Sequence, residues 1–281
     1  MATIKGFNKG VDYRQKGKPP LITKTLIQEQ TVTPPKEFSV GKWFGPMSAT
    51  IILPDDILNS LIKMTDGLIE DEKTQSMGPS LAGVIDKELK IYKQDIHMAG
   101  CDAFLEACLR NYVDTCAKEH ASYHEDNIVS SAITSCWTVS QYENEYNPVH
   151  NHTGCQVSAV LYLKIPKDIK GRRKMPSKEG RQDNDGDINF IYSSDSQRPG
   201  DVLNRGITQF VPQPGMLAIF PSYLLHTVYP FIGEGERRSI AFNACYNIKS
   251  KDGQYIAGDT SEFDPYETFY GYEKPKWENI L

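Results

Sequence analysis

Apolar residues recur at helical spacing in two stretches of the chain. After Pro54-Asp55-Asp56 come Ile57, Leu58, Leu61, Ile62, Met64, Leu68 and Ile69 on one face. Proline suits a first helical turn, and acidic residues suit the positive end of the helix dipole. A second stripe, from about 101 to 119, carries Phe104, Leu105, Cys108, Leu109, Tyr112, Val113 and Cys116. Both predict amphipathic helices packed against a sheet. From about 128 the pattern changes to short runs rich in Val, Ile, Thr, Tyr, Phe and Trp, separated by Gly, Pro and Asn. These predict strands near 129–142, 156–165, 187–193, 207–211, 216–220, 224–229 and 237–246. In the second of them Val157, Ala159, Leu161 and Leu163 alternate with Ser158, Val160 and Tyr162. So many strands without long helices between them predict an antiparallel sandwich or barrel, with the N-terminal helices over one outer face. Residues 1–45 are polar and carry Pro19, Pro20, Pro34 and Pro35, so they predict an extended arm, and 46–281 predict a single domain.

Composition narrows the function classes. The formal charge of −5 argues against a general nucleic-acid binder. The segment from Lys167 to Gly186 is locally basic, with Lys170, Arg172, Arg173, Lys174, Lys178 and Arg181. It reads as a solvated loop, with contact to an acidic partner as the alternative. No apolar run approaches the roughly 20 residues of a membrane helix. The first 18 residues lack the apolar core of a secretory signal. Six cysteines, none in a CxxC pair, read as reduced thiols of a cytoplasmic protein.

The candidate chemistry lies in the strand-rich region. Tyr146-Asn147-Pro148-Val149-His150-Asn151-His152 places two histidines at i and i+2, which on a strand share a face. About 75 residues later Phe220-Pro221-Ser222-Tyr223-Leu224-Leu225-His226 supplies a third, and Arg237-Arg238-Ser239 follows. Three imidazoles on one face make a mononuclear metal site with open positions. Arg237 and Ser239 share a side of their strand, where a guanidinium suits a carboxylate. Arg238 points the other way and reads as a surface residue. His97, His120 and His124 fall in helical or loop contexts without partners. Trp137, Gln141 and Tyr142 read either as residues of the site's mouth or as sheet packing.

The order HxH, a strand ending in Tyr162-Leu163, a Gly186-Asp187 strand, Pro214-Gly215-Met216-Leu217-Ala218-Ile219-Phe220-Pro221-Ser222 through His226, then Arg237-Arg238-Ser239, resembles the 2-oxoglutarate- and Fe(II)-dependent oxygenases. Within that superfamily the likeness is greatest to members common in marine bacteriophages, and more distant to the prolyl hydroxylases. It covers about residues 135–247. The resemblance implies a double-stranded β-helix, or jelly-roll, and a dioxygenase using Fe(II), 2-oxoglutarate and O2 to hydroxylate a C–H bond, with a peptide or protein side chain as the first substrate guess. It implies His150 and His226 as metal ligands, Arg237 and Ser239 at the 2-oxoglutarate carboxylate, and Tyr162 either against that carboxylate or packed. The departure is His152, where most of the superfamily carries a carboxylate. Either His152 completes a three-histidine site, or Asp185 or Asp187 supplies the ligand. A third option is a shifted frame that makes His152 the first ligand and leaves Gly154 at the acid position, as in the halogenases. The three-histidine reading is preferred. A cupin-like dioxygenase without 2-oxoglutarate and a non-enzymatic β-sandwich remain the competing classes.

Overall fold

The computed structural model describes residues 3–4, 30–31, 45–119, 123–167, 185–193 and 206–257. Most of the expected N-terminal arm, most of the basic loop and His120 lie outside these residues. The chain divides into two units, Met1–Phe44 and Gly45–Leu281. The first contains one short antiparallel pair, β1 (Thr3–Ile4) and β2 (Gln30–Thr31).

The second unit opens with β3 (Ala49–Ile52) and α1 (Asp55–Glu70). A 3-10 turn over Gly78–Ser80, β4 (Lys87–Lys90), α2 (Lys93–Met98) and α3 (Asp102–Lys118) come next. The strands β5 (Ile128–Gln141), β6 (Asn147–His150), β7 (Val157–Lys164), β8 (Ile188–Ile191) and β9 (Ile207–Phe210) follow. The described chain closes with β10 (Met216–Pro221), β11 (Leu225–Val228), β12 (Arg237–Lys249) and β13 (Tyr255–Ala257). All seven strand runs expected from the sequence are present. The pattern did not reveal β3, β4, β13 or α2. Each is short, and β3 and β4 are edge strands, where half the backbone groups need no partner and side-chain alternation has little length to register.

The strands form two antiparallel sheets. One runs β3-β10-β7-β12-β5-β4, with β13 attached to β12; the other runs β6-β11-β8-β9. The longest ladder joins β12 to β5. It is unbroken from Arg237 opposite Gln141 to Asn243 opposite Ser135, and then shifts register.

Alternation sorts the large sheet into two faces. Val157, Ala159, Leu161 and Leu163 of β7 join Leu217, Ile219, Ile240 and Phe242 in the main apolar cluster, which also holds Leu61, Leu105, Leu109 and Val113 of the helices. Burying a side chain such as Phe242 or Ile240 contributes roughly 1.5–3 kcal/mol. A smaller cluster of Tyr162, Phe190, Met216, Phe220, Leu224 and Val228 draws on strands of both sheets.

Arg238 corrects a sequence expectation. It does face away from Arg237, but it is not at the surface. The residue is 4% exposed. Its guanidinium donates to Glu236 at 2.7 and 2.8 Å, to Asp66 at 2.6 Å and to Thr65 Oγ1 at 3.1 Å. The polar face of α1 supplies two of these partners, so a charge that looked solvent-bound is held in a closed network.

Candidate metal centre and anion pocket

Pairing of β11 with β6 sets His226 opposite His150. His150 is the last residue of β6, and His152 lies beyond the strand. The backbone N–H of His152 donates to Ser222 O at 3.0 Å rather than to the ladder. Gly154, at φ 71°, then turns the chain away. The two histidines therefore do not share a strand face, as i, i+2 spacing suggested. They converge because a loop, pinned to the residue after β10, folds His152 back over His150.

The ring centroids are 5.4 Å apart for His150 and His152, 4.2 Å for His150 and His226, and 5.2 Å for His152 and His226. One ligand nitrogen from each lies within 4.8 Å of the others, and this is the only such histidine, cysteine or acid group among the described residues. Neither Asp185 nor Asp187 joins it. Each ring is oriented through Nδ1, which faces Pro148 O at 2.7 Å in His150, Leu224 O at 2.9 Å in His226, and Asn243 Oδ1 at 2.7 Å in His152. Oxygen acceptors of this kind require Nδ1–H, which leaves Nε2 with its lone pair free. Burial pushes all three imidazoles below their ordinary pKa. For His226 burial, followed by the neighbouring His150, brings it down to about 3. All three are thus neutral near pH 7, the form a metal needs. Trp137 stacks on His152 with centroids 5.9 Å apart, and Phe220 sits edge-on to His226 at 5.0 Å.

The histidines line a cavity of about 530 Å³ that also exposes Trp137, Ser239, Asn243 and Glu88, with Arg237 at its wall. That volume suits a small ligand. Arg237 is only 2% exposed. Its Nε donates to Gly186 O at 3.0 Å and its Nη1 to Gln141 Oε1 at 3.0 Å, while the buried Nη2 has no partner. The guanidinium carbon lies 4.9 Å from the Tyr162 ring centroid, and the buried Tyr162 hydroxyl has no hydrogen-bond partner. Burial pushes the Tyr162 pKa up to about 12, so the phenol keeps its proton. Tyr162 backs Arg237 and is not itself part of the cavity lining. Ser239 is buried between Val139 and Tyr162 in the ladder and does line the cavity. A buried guanidinium N–H and a phenol O–H left unsatisfied side by side match an anion with acceptor oxygens, since buried donors rarely stay unpaired.

Three residues of this arrangement were not singled out from sequence, or were given other roles. Gln141 holds Arg237, and its own Nε2 donates to Glu145 O at 2.5 Å and Tyr229 O at 3.2 Å. Asn243 accepts from His152 and, at 3.1 Å, from Ser158 Oγ. The period-two series Arg237, Ser239, Ala241, Asn243 carried the signal for Asn243. Glu88, on a strand the pattern missed, carried none. Trp137 lines the cavity, whereas Tyr142 is 41% exposed and does not. His97 is exposed and pairs with Asp102 at 2.9 Å, away from the cluster.

Residues 135–243 match the family model described as "Putative 2OG-Fe(II) oxygenase". This segment contains the three histidines and Arg237. No curated protein matches the chain. Among solved structures, a Pseudomonas putida prolyl-4-hydroxylase aligns with a TM-score of 0.42 at 18% identity, covering 70% of this chain and 91% of that one. A Trichoplax adhaerens prolyl hydroxylase, solved with a hypoxia inducible factor peptide, gives 0.46 at 13%, covering 70% and 82%. A viral collagen prolyl hydroxylase from Paramecium Bursaria Chlorella virus-1, solved with 2-oxoglutarate, gives 0.42 at 14%, covering 70% and 94%. Likeness at this level adds no weight, and the similarity that counts is the family match over residues 135–243.

Over residues 135–243 the chain is similar to the 2-oxoglutarate- and Fe(II)-dependent oxygenases, and the match spans less than half of its length.

Proposed function

We propose that His150, His152 and His226 hold the iron through Nε2, and that Arg237 and Ser239, with Tyr162 behind, receive the distal carboxylate of 2-oxoglutarate. One observation carries this reading: three imidazoles with Nδ1 committed to acceptors share a cavity with a buried guanidinium whose Nη2 has no partner. Bound iron would supply the O2 activation that couples decarboxylation of 2-oxoglutarate to hydroxylation of a substrate C–H bond. The chain's own contributions are positional. Pro148 O, Leu224 O and Asn243 Oδ1 fix the imidazole tautomers. Gln141 and Gly186 aim the guanidinium, so its charge-assisted hydrogen bonds are preorganised for a dicarboxylate. Phe190, Phe220 and Trp137 wall the histidines with apolar surface and limit water.

The finer readings follow from this one. The two antiparallel sheets are read as a double-stranded β-helix within a single domain over 46–281. The primary substrate is read as a peptide or protein side chain, from the sequence resemblance to prolyl hydroxylases. All six cysteines are free thiols, which fits a cytoplasmic location. No described helix is long and apolar enough to cross a membrane.

The test is anaerobic addition of Fe(II) and 2-oxoglutarate with a search for the weak visible charge-transfer band of the chelate. The band should form in the native protein and vanish in Arg237→Ala. Iron binding without a band points instead to a cupin-like dioxygenase, and failure to bind iron points to a non-enzymatic β-sandwich.

A further inference from the structure

We propose that Glu88, with the Asn147 side chain beside it, forms a subsite for a protonated amine on the primary substrate. This deepens the reading of the cavity as the site of oxygenation and rests on it. Glu88 is 2% exposed, lies on the edge strand β4 and lines the same cavity as the histidines. It is buried yet unused by the fold. Its Oε2 has no hydrogen-bond partner, and no ion pair to it is found among the described residues.

The register places it. Glu88 lies opposite Val139, Val139 opposite Ser239, and Ser239 opposite Tyr162, across four adjacent strands. At about 4.8 Å per strand, Glu88 sits roughly 10 Å along the sheet from Ser239. It is therefore at the far side of the cavity from the anion anchor, where a second ligand has room.

Acceptors converge there. A Cβ placed on Gly83 would lie 2.9 Å from Glu88 Oε1 and 2.5 Å from Asn147 Oδ1. Only a glycine at 83 leaves these two oxygens their present positions. Asn147 also lines the cavity. The Glu88 carboxylate and the Asn147 amide oxygen both accept here, which suits a ligand carrying N–H groups.

The surrounding charges favour a cation over a neutral donor. Burial, followed by the negative charge of Glu145, pushes the Glu88 carboxyl up to about 7. Glu145 accepts from the backbone N–H groups of Asp86 and Tyr142. Lys90 also faces the cavity, but its Nζ lies 4.8 Å from the Tyr92 ring centroid. Arg237 is engaged by Gly186 and Gln141. An ammonium would both replace the hydration Glu88 has lost and offset the Glu145 charge. A hydroxyl would do only the first.

The experiment compares n-butylammonium with 1-butanol, matched in length, by saturation-transfer NMR on the full chain at pH 8. It is run with and without Fe(II) and 2-oxoglutarate. The native protein should bind the ammonium at least 10-fold more tightly than the alcohol. Glu88→Gln should abolish that preference, with circular dichroism confirming the fold. Gly83→Ala, which puts a methyl against both oxygens, should weaken the ammonium and spare the alcohol. Equal affinities in the native protein, or an undiminished preference in Glu88→Gln, would overturn the subsite. If the chelate forms but no amine preference is seen, the subsite alone fails. An amine preference without a chelate retains Glu88 as a cation site and removes the oxygenase reading.

Discussion

Arg237 and Arg238 are neighbours on β12, both almost fully buried, and they face opposite sides of one sheet. On the helix-covered side Arg238 meets Glu236, Asp66 and Thr65, with every contact between 2.6 and 3.1 Å. On the cavity side Arg237 meets one amide oxygen and one carbonyl and keeps a buried Nη2 free. Burying a charge costs several kcal/mol unless it is paired. One face meets that cost internally. The other leaves one buried N–H group without an acceptor. The same chemistry, one residue apart, is thus closed within the fold on one face and, on the function proposed above, turned to recognition on the other.

The sharpest way to break this comparison is to remove each arginine in turn. Arg237→Met should weaken 2-oxoglutarate binding by at least about 100-fold, from the ~3 kcal/mol typical of a buried charge-assisted pair. Its thermal midpoint should hold or rise, because an uncompensated buried charge has gone; titration of the chelate band and a thermal melt check both halves. Arg238→Ala should do the reverse. It should lose about 3 kcal/mol of stability in denaturant unfolding, since Glu236 and Asp66 lose their partner, while 2-oxoglutarate affinity stays within a factor of two or so.

A pH series sharpens the contrast further. Glu88 has its pKa raised from 4.5 to about 7 in the folded protein. Between those values the folded state holds more protons than the unfolded one, so stability is in full below pH 4.5 and is lost as pH rises through 7. Glu88→Gln should therefore match the native melting midpoint at pH 4 and exceed it at pH 8, by up to about 3 kcal/mol in unfolding free energy. An unchanged difference across that range would show that Glu88 titrates normally.

Asn243→Ala removes the acceptor for His152 Nδ1 and should cut Fe(II) affinity about 10–100-fold, measured by metal competition. The smallest effect belongs to Lys164→Ala. Lys164 reaches Asp66 at 2.7 Å from a partly exposed position, so its loss should cost less than about 1 kcal/mol.

How much of this was legible in the chain depends on where the information sits. The alternation of β7 and the Arg237/Ser239 pairing were readable because period two along one strand decides which side each residue faces. The seven strand runs were long or apolar enough to stand out. Lys87-Glu88-Leu89-Lys90 was not, since a polar tetrapeptide becomes a strand only when β5 offers it a ladder. The convergence of His152 was anticipated for the wrong reason. Its place comes from a loop anchored at Ser222, a contact 70 residues away that no local spacing encodes. Gln141 and Asn243 belong to the same class: their roles depend on what the sheet lays across from them.

The ladder that β12 makes with β5, uninterrupted from Arg237 to Asn243, makes that strand a ruler. Its two ends, Arg237 and the residue orienting His152, are separated by six steps, roughly 20 Å of extended backbone. Inserting one residue between Ser239 and Asn243 would turn one end over. The apolar side chains that now support the helices would be driven into the cavity, or one end of the ruler would be forced out of it. Length variation in this chain is therefore expected in its loops, and the distance between Arg237 and Asn243 is expected to change in steps of a whole pleat.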